Sequence, residues 1–62
     1  MKEATLTLSG LESVYDALAT AIDQAGPERT ELFLVKLALL NAHALADERL
    51  FADHLERALK DL

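Results

Sequence analysis

Residues 32–46 read LFLVKLALLNAHALA, and this stretch decides the fold. When its residues are placed at steps of about 100° around a helix, the apolar side chains point in almost every direction. The main polar line is one narrow stripe, formed by Arg29, Lys36, His43 and Asp47. A helix that is apolar nearly all round has to be covered nearly all round. Two short neighbouring helices in one chain cannot do this, so the sequence predicts that a second copy or another protein covers the rest.

The residues before this stretch predict a first helix over residues 10–25. Ser9 and Glu12 form an S-x-x-E pattern, which is typical of a capping box at a helix start. The apolar residues then recur at helical spacing, and Gly26-Pro27 ends the helix. Thr5-Leu6-Thr7-Leu8 alternates between polar and apolar residues. Residues 1–8 are therefore expected to form an extended arm.

The residues after Gly26 predict two further helices. Pro27 is expected as the first residue of the second helix, over residues 27–46, because the first position of a helix needs no N–H. Beyond it the polar side shifts around the helix axis, and Asp47 is a plausible N-cap. These features favour a turn near residues 46–48 and a third helix over residues 48–61. The alternative is one long helix from residue 28 to the end.

Size and composition bound the fold to one small all-α domain over residues 1–62. Alanine and leucine supply most of a 52% hydrophobic content, and only 5% of the residues are aromatic, a mixture that suits helices. A chain of this length buries only about 60% of the surface that its unfolded form exposes. It has no cysteine with which to form a disulfide. We therefore expect a three-helix chain that assembles as a homodimeric helical bundle.

The net charge of −5 excludes some classes of partner. A protein that binds nucleic acids or anionic membranes needs a basic face, so this chain is expected to bind neither. The charge is uneven, since residues 1–31 hold two basic and six acidic side chains. The longest apolar stretch is interrupted by Lys36, Asn41 and His43, so it does not read as a membrane span. The expected location is the cytoplasm.

The side chains that could carry chemistry do not form a catalytic pattern. Ser9 and Ser13 have no base at an obvious spacing, and no glycine-rich phosphate loop occurs, so we predict no enzyme and no cofactor. The histidines, His43 and His54, could join Asp47 or Asp53 in a metal site. Zinc takes three or four protein ligands, and this set offers two nitrogens and no sulfur. We therefore favour ordinary surface and rim positions for both histidines.

An interface is predicted on the second helix around Leu34, Leu37, Asn41 and Leu45. Asn41 projects among the three leucines, and a single polar residue in a helical core often fixes register and oligomeric state. One hypothesis is an Asn41–Asn41′ or Asn41–backbone contact across a two-fold axis. The other is that this side chain is satisfied within its own chain or by water.

Glu12, Asp16 and Asp23 form an acidic face on the first helix, with no basic residue beside them. One interpretation is a docking face for a basic partner. The other is a solvated face that keeps a leucine-rich protein in solution, which net charge alone can achieve. The second interpretation is the more economical one.

Three segments of the chain resemble a known family. Residues 14–18 (VYDAL), residues 36–43 (KLALLNAH) and Ala46-Asp47 before the last helix are similar to short bacterial proteins grouped as domain of unknown function 2783. The resemblance covers residues 11–60. Members tend to have an Ala-Asn-His-like run followed by Gly-Asp, whereas this chain has Asn41-Ala42-His43 and has Ala46 where glycine is common. The resemblance implies a bacterial cytoplasmic protein of unassigned function, and an accessory subunit of an enzyme, since genes of the family often neighbour flavin-dependent oxygenases.

Three functions follow as hypotheses. The leading one is a self-associating interaction or accessory protein. The second is an acidic antitoxin-like or inhibitor-like protein that neutralises a basic partner through Glu12, Asp16 and Asp23. The third is a metal-binding or small-ligand-binding protein that uses His43, His54 and Asp47.

Overall fold

The computed structural model describes residues 5–62, and its secondary structure is three α-helices. They are α1 (Leu8–Ala25), α2 (Thr30–Leu45) and α3 (Glu48–Leu59). No strand occurs within the described range, and the all-α class predicted from the sequence is confirmed. The first four residues of the predicted arm lie outside the described residues.

The chain divides into two compact units, one ending at Glu31 and the other formed by Leu32–Leu62. The first holds α1 and the turn that follows it. The second holds nearly all of α2 and the whole of α3. The expectation of one helical domain stays a prediction.

The start of α1 corrects the predicted capping box. The N-cap is Thr7, whose side-chain oxygen accepts a hydrogen bond from the amide of Gly10 at 3.0 Å. Ser9 lies inside the helix, and Leu8 belongs to α1 instead of an extended arm. With Thr7 as the N-cap, the apolar stripe of α1 gains one residue at its start. Leu8, Leu11 and Tyr15 follow one another at i, i+3 and i+7 and so share one side of the helix. Both threonine and serine are good N-caps, so residue preference alone did not separate the two starts.

Alanine substitutions at the two candidate caps test this assignment. Thr7→Ala is expected to lower the free energy of unfolding by about 1 kcal/mol, because one N-terminal amide loses its acceptor. Ser9→Ala is expected to change it by less than about 0.5 kcal/mol, since alanine is the better residue inside a helix. Urea unfolding followed by circular dichroism measures both. A larger loss for Ser9→Ala than for Thr7→Ala would restore the predicted capping box.

The connection between α1 and α2 is a turn, which corrects the predicted start of the second helix. The carbonyl oxygen of Gly26 accepts hydrogen bonds from the amide of Arg29 at 3.1 Å and from the hydroxyl of Thr30 at 2.8 Å. Pro27 is therefore a turn residue, where its fixed φ suits the second position, and α2 begins three residues later than expected. At its other end α2 stops at Leu45, one residue before the predicted end.

The turn between α2 and α3 is confirmed, and one long helix is excluded. Ala46 has a left-handed φ of 55°, and its amide donates to the carbonyl of Ala42 at 3.0 Å. Asp47 is the N-cap of α3, and its Oδ1 accepts from the amides of Arg49 and Leu50 at 3.1 and 3.0 Å. The helix is interrupted here without glycine or proline because a left-handed residue is followed at once by a strong N-cap.

Removing this cap is expected to weaken α3. Asp47→Ala leaves the amides of Arg49 and Leu50 without their side-chain acceptor, and it removes a carboxylate from the positive end of the helix. We expect the free energy of unfolding to fall by about 1 to 2 kcal/mol. Asp47→Asn, which keeps an oxygen in place, is the matched control and is expected to lose less than half as much. Equal losses in denaturant unfolding would contradict the capping role.

The end of α3 comes earlier than predicted. The helix stops at Leu59, Lys60 has extended backbone angles, and Asp61 has a left-handed φ of 59°. The expected bound at residue 61 is therefore corrected by two residues. Within α3, Arg57 Nη1 lies 3.5 Å from Asp53 Oδ2, an exposed i, i+4 pair that contributes only a few tenths of a kcal/mol.

Candidate interaction surfaces

The side chains of residues 5–62 share one property: none of them is buried, and the apolar ones are half-buried or exposed. Large apolar side chains of all three helices reach solvent. The exposed ones include Leu8, Leu11, Val14 and Tyr15 on α1, Leu32, Val35, Leu39 and Leu40 on α2, and Leu55 and Leu59 on α3. Scattered single apolar residues are normal on a protein surface, but aligned groups mark contact sites. Exposed apolar residues are therefore considered as contact sites only where they align on one side of a helix.

The predicted interface on α2 is partly covered within the chain. Leu37 and Leu45 are half-buried, Leu34 is 38% exposed, and Asn41 is exposed. At steps of about 100° per residue, the four residues fall within an arc of about 80° on the helix. Because Asn41 faces solvent, its amide needs no protein partner in the isolated chain. A role for these residues in self-association stays a prediction.

A second group of apolar residues on α2, which we call the outer stripe, consists of Leu32, Val35 and Leu39. Their exposed fractions are 62%, 49% and 64%. Leu39 lies about 160° around the helix from the half-buried Leu37, so the stripe is on the other side of α2. Sequence reasoning missed it as a separate surface because apolar residues occur in every direction around α2. The signal that could have found it is the i, i+3, i+7 spacing of its members.

The acidic face of α1 is exposed as expected. Glu12, Asp16 and Asp23 all face solvent and lie within about 40° of one another around the helix. Glu12 and Asp16 also line a shallow surface depression together with Leu11 and Tyr15. Helix α1 contains no lysine or arginine. The depression therefore combines two apolar side chains with two carboxylates, and its use as a docking face stays a prediction.

The residues of the metal hypothesis fall on two helices. His43 is exposed at the end of α2 and shares a surface depression with Asp47. One oxygen of Asp47 already accepts two amide hydrogen bonds as the N-cap of α3, which reduces its capacity as a ligand. His54 is half-buried on α3 and has an interaction partner of its own. Residues 5–62 contain no group of three or more side chains placed to hold a metal ion.

Comparisons with known proteins add no relative. No family model, no curated protein and no solved structure matches this chain. The resemblance to domain of unknown function 2783 therefore stays an expectation. Among the helices of the described residues, none is long and apolar enough to cross a lipid bilayer.

Proposed function

We propose that this protein is a self-associating helical accessory protein that works as a homodimer. The observation that carries the proposal is the exposure of Leu32, Val35 and Leu39 in a helix whose apolar residues occupy nearly every direction. Exposed and aligned apolar side chains favour association because burying each one releases it from water. A chain of 62 residues without cysteine also has few other routes to a stable core.

The wider role in this proposal is to join an enzyme or a similar partner as a non-catalytic subunit in the cytoplasm. It draws on the family resemblance and on the lack of a catalytic pattern in the sequence. In this proposal self-association and partner binding use different residues: the outer stripe lies on α2, and the depression lined by Leu11 and Tyr15 lies on α1.

Sedimentation equilibrium tests the proposal directly. Over protein concentrations of about 1 to 100 µM, we expect the average mass to rise toward twice that of one chain. The association is expected to persist in about 1 M salt, because apolar burial is not screened as surface ion pairs are. A single folded subunit that keeps the mass of one chain at every concentration, with cooperative thermal unfolding, would overturn the proposal.

A second candidate function is binding of a basic partner on the acidic face of α1. The observation that favours it is the juxtaposition of Glu12 and Asp16 with the exposed side chains of Leu11 and Tyr15. A basic amphipathic peptide satisfies both parts of such a surface. Titration with a lysine-rich and leucine-rich helical peptide is expected to give binding that weakens strongly with salt. Glu12→Gln/Asp16→Asn should remove it, and equal binding by the variant would rule this candidate out.

A further inference from the structure

The outer stripe of α2 has the spacing of a two-stranded helical seam. Leu32, Val35 and Leu39 stand at i, i+3 and i+7, which correspond to positions a, d and a of a heptad. Ala42 continues the pattern at the next d position and is half-buried. All three larger side chains are about half to two-thirds exposed in the single chain. The stripe therefore has the spacing of a heptad seam, and about half or more of each larger side chain is exposed.

We propose that two copies of the chain pair through this outer stripe, with the two α2 helices parallel and in register. This inference rests on the proposed function, since it names the face and the orientation of the self-association. The occupant of the stripe is then the same stripe of a second copy. Across a two-fold axis along the helices, each Leu32, Val35 and Leu39 meets its own counterpart.

Charge complementarity selects the parallel orientation. Glu31 precedes Leu32 and occupies position g, and Lys36 follows Val35 and occupies position e. In a parallel pair the g residue of one helix meets the e residue five positions later on the other. Glu31 of each copy then faces Lys36 of the other, which gives two symmetric ion pairs beside the seam. Both side chains are exposed in the single chain.

The antiparallel arrangement is disfavoured by the same two residues. An antiparallel pair layers position a against position d, so it aligns Leu32 with Ala42 and Val35 with Leu39 of the other copy and brings the two Lys36 side chains close together. It also sets Glu31 beside Leu45 in the g row of the other copy, so neither carboxylate gains a cation. Like charges at close range weaken a helical pair, whereas the parallel pair brings each Glu31 beside a Lys36.

The proposed interface differs from the one predicted from the sequence. Asn41 occupies position c of the heptad, about 160° around the helix from Leu39, so its amide lies away from the seam. Its exposure in the single chain agrees with a solvent-facing position. An Asn41–Asn41′ contact is not part of this arrangement. Asn41→Leu is accordingly expected to leave the oligomeric state and its affinity unchanged.

Cysteine crosslinking in the full chain tests the face and the orientation together. The protein has no cysteine, so a single introduced thiol reports one position. In a glutathione redox buffer, Leu39→Cys is expected to form a disulfide-linked dimer, because a parallel seam brings the two copies of position 39 together. Leu40→Cys, on an equally exposed residue next to the stripe, is the matched control and should crosslink at least tenfold less.

The antiparallel alternative has its own signature. In that arrangement Leu39→Cys stays uncrosslinked alone and forms a disulfide only when mixed with Val35→Cys. That result would overturn the proposed orientation. Crosslinking through Leu37→Cys in preference to Leu39→Cys would overturn the proposed face and favour the interface predicted around Asn41.

Charge reversal gives a second test. Its readout is the recovery of dimer affinity in the double variant, which a loss of folding in the single variants would not produce. Glu31→Lys and Lys36→Glu each replace two attractions by two repulsions, so each is expected to weaken the dimer about tenfold at physiological salt. The double variant restores the pairs in reverse and should return to within about threefold of the wild-type affinity. Circular dichroism confirms that each variant is helical.

The outcomes separate this inference from the proposed function. If neither charge reversal changes the dimer affinity and Leu39→Cys forms no disulfide, the parallel α2 seam is wrong while self-association still holds. A wild-type chain that stays a single subunit at all concentrations would remove both.

Discussion

Gly26→Ala is expected to lower the free energy of unfolding by about 1 to 3 kcal/mol. Gly26 has φ of 81° and ψ of 161°, a region that only glycine visits without strain. A Cβ built at this position meets no atom within 4 Å. The loss therefore comes from the backbone alone, and neighbouring side chains cannot relieve it by moving.

Two controls isolate this backbone term. A D-alanine at position 26 prefers positive φ, so it should match or exceed the stability of the wild type. Ala46→Gly is the opposite change at a left-handed residue, with φ of 55°, and is expected to raise the stability by about 1 kcal/mol. Urea unfolding of the four proteins at one fixed concentration gives the comparison. A Gly26→Ala protein as stable as the wild type would show that the turn after α1 adopts another conformation.

The positions of the helix breaks were predictable because the residues that cause them act locally. Gly26 and Pro27 end α1, and Asp47 caps α3 through its own side chain, so the chain reveals these points without knowledge of the packing. The exact starts were less predictable where two residues compete for one role. Thr7 and Ser9 are both good caps, and the choice between them depends on whether Leu8 joins the apolar stripe.

The covered side of α2 could not be predicted from its own residues. Leu37 and Leu39 are the same residue type, yet the first is half-buried and the second is mostly exposed. Apolar periodicity points a helix toward its neighbours only when one side is polar, and α2 lacks a broad polar side. The prediction of an interface at Leu34, Leu37, Asn41 and Leu45 rested on the unusual position of Asn41. The exposed fractions of Leu32, Val35 and Leu39 show which side of α2 faces solvent in the single chain, which the apolar periodicity did not show.

Thermal unfolding is expected to depend on protein concentration, since folding and association are coupled in the proposed dimer. Each tenfold rise in concentration favours the dimer by about 1.4 kcal/mol relative to two unfolded chains. For a dimer of two 62-residue chains, raising the concentration from about 1 to 100 µM should therefore raise the unfolding midpoint by about 10 °C. Circular dichroism at 222 nm, with path lengths matched to concentration, measures this shift.

A substitution on the outer stripe distinguishes coupled folding from incidental aggregation. Leu39→Lys places a charge at the proposed seam without removing a side chain that the single chain buries, because Leu39 is already 64% exposed. We expect this variant to lose most of the concentration dependence and to unfold at a lower midpoint at 100 µM, because the contribution of the partner is gone. Leu40→Lys, at an equally exposed position off the stripe, should keep the wild-type dependence. A midpoint that stays constant across the concentration range in the wild type would mean that one chain is stable alone, despite the apolar residues that α2 presents to water.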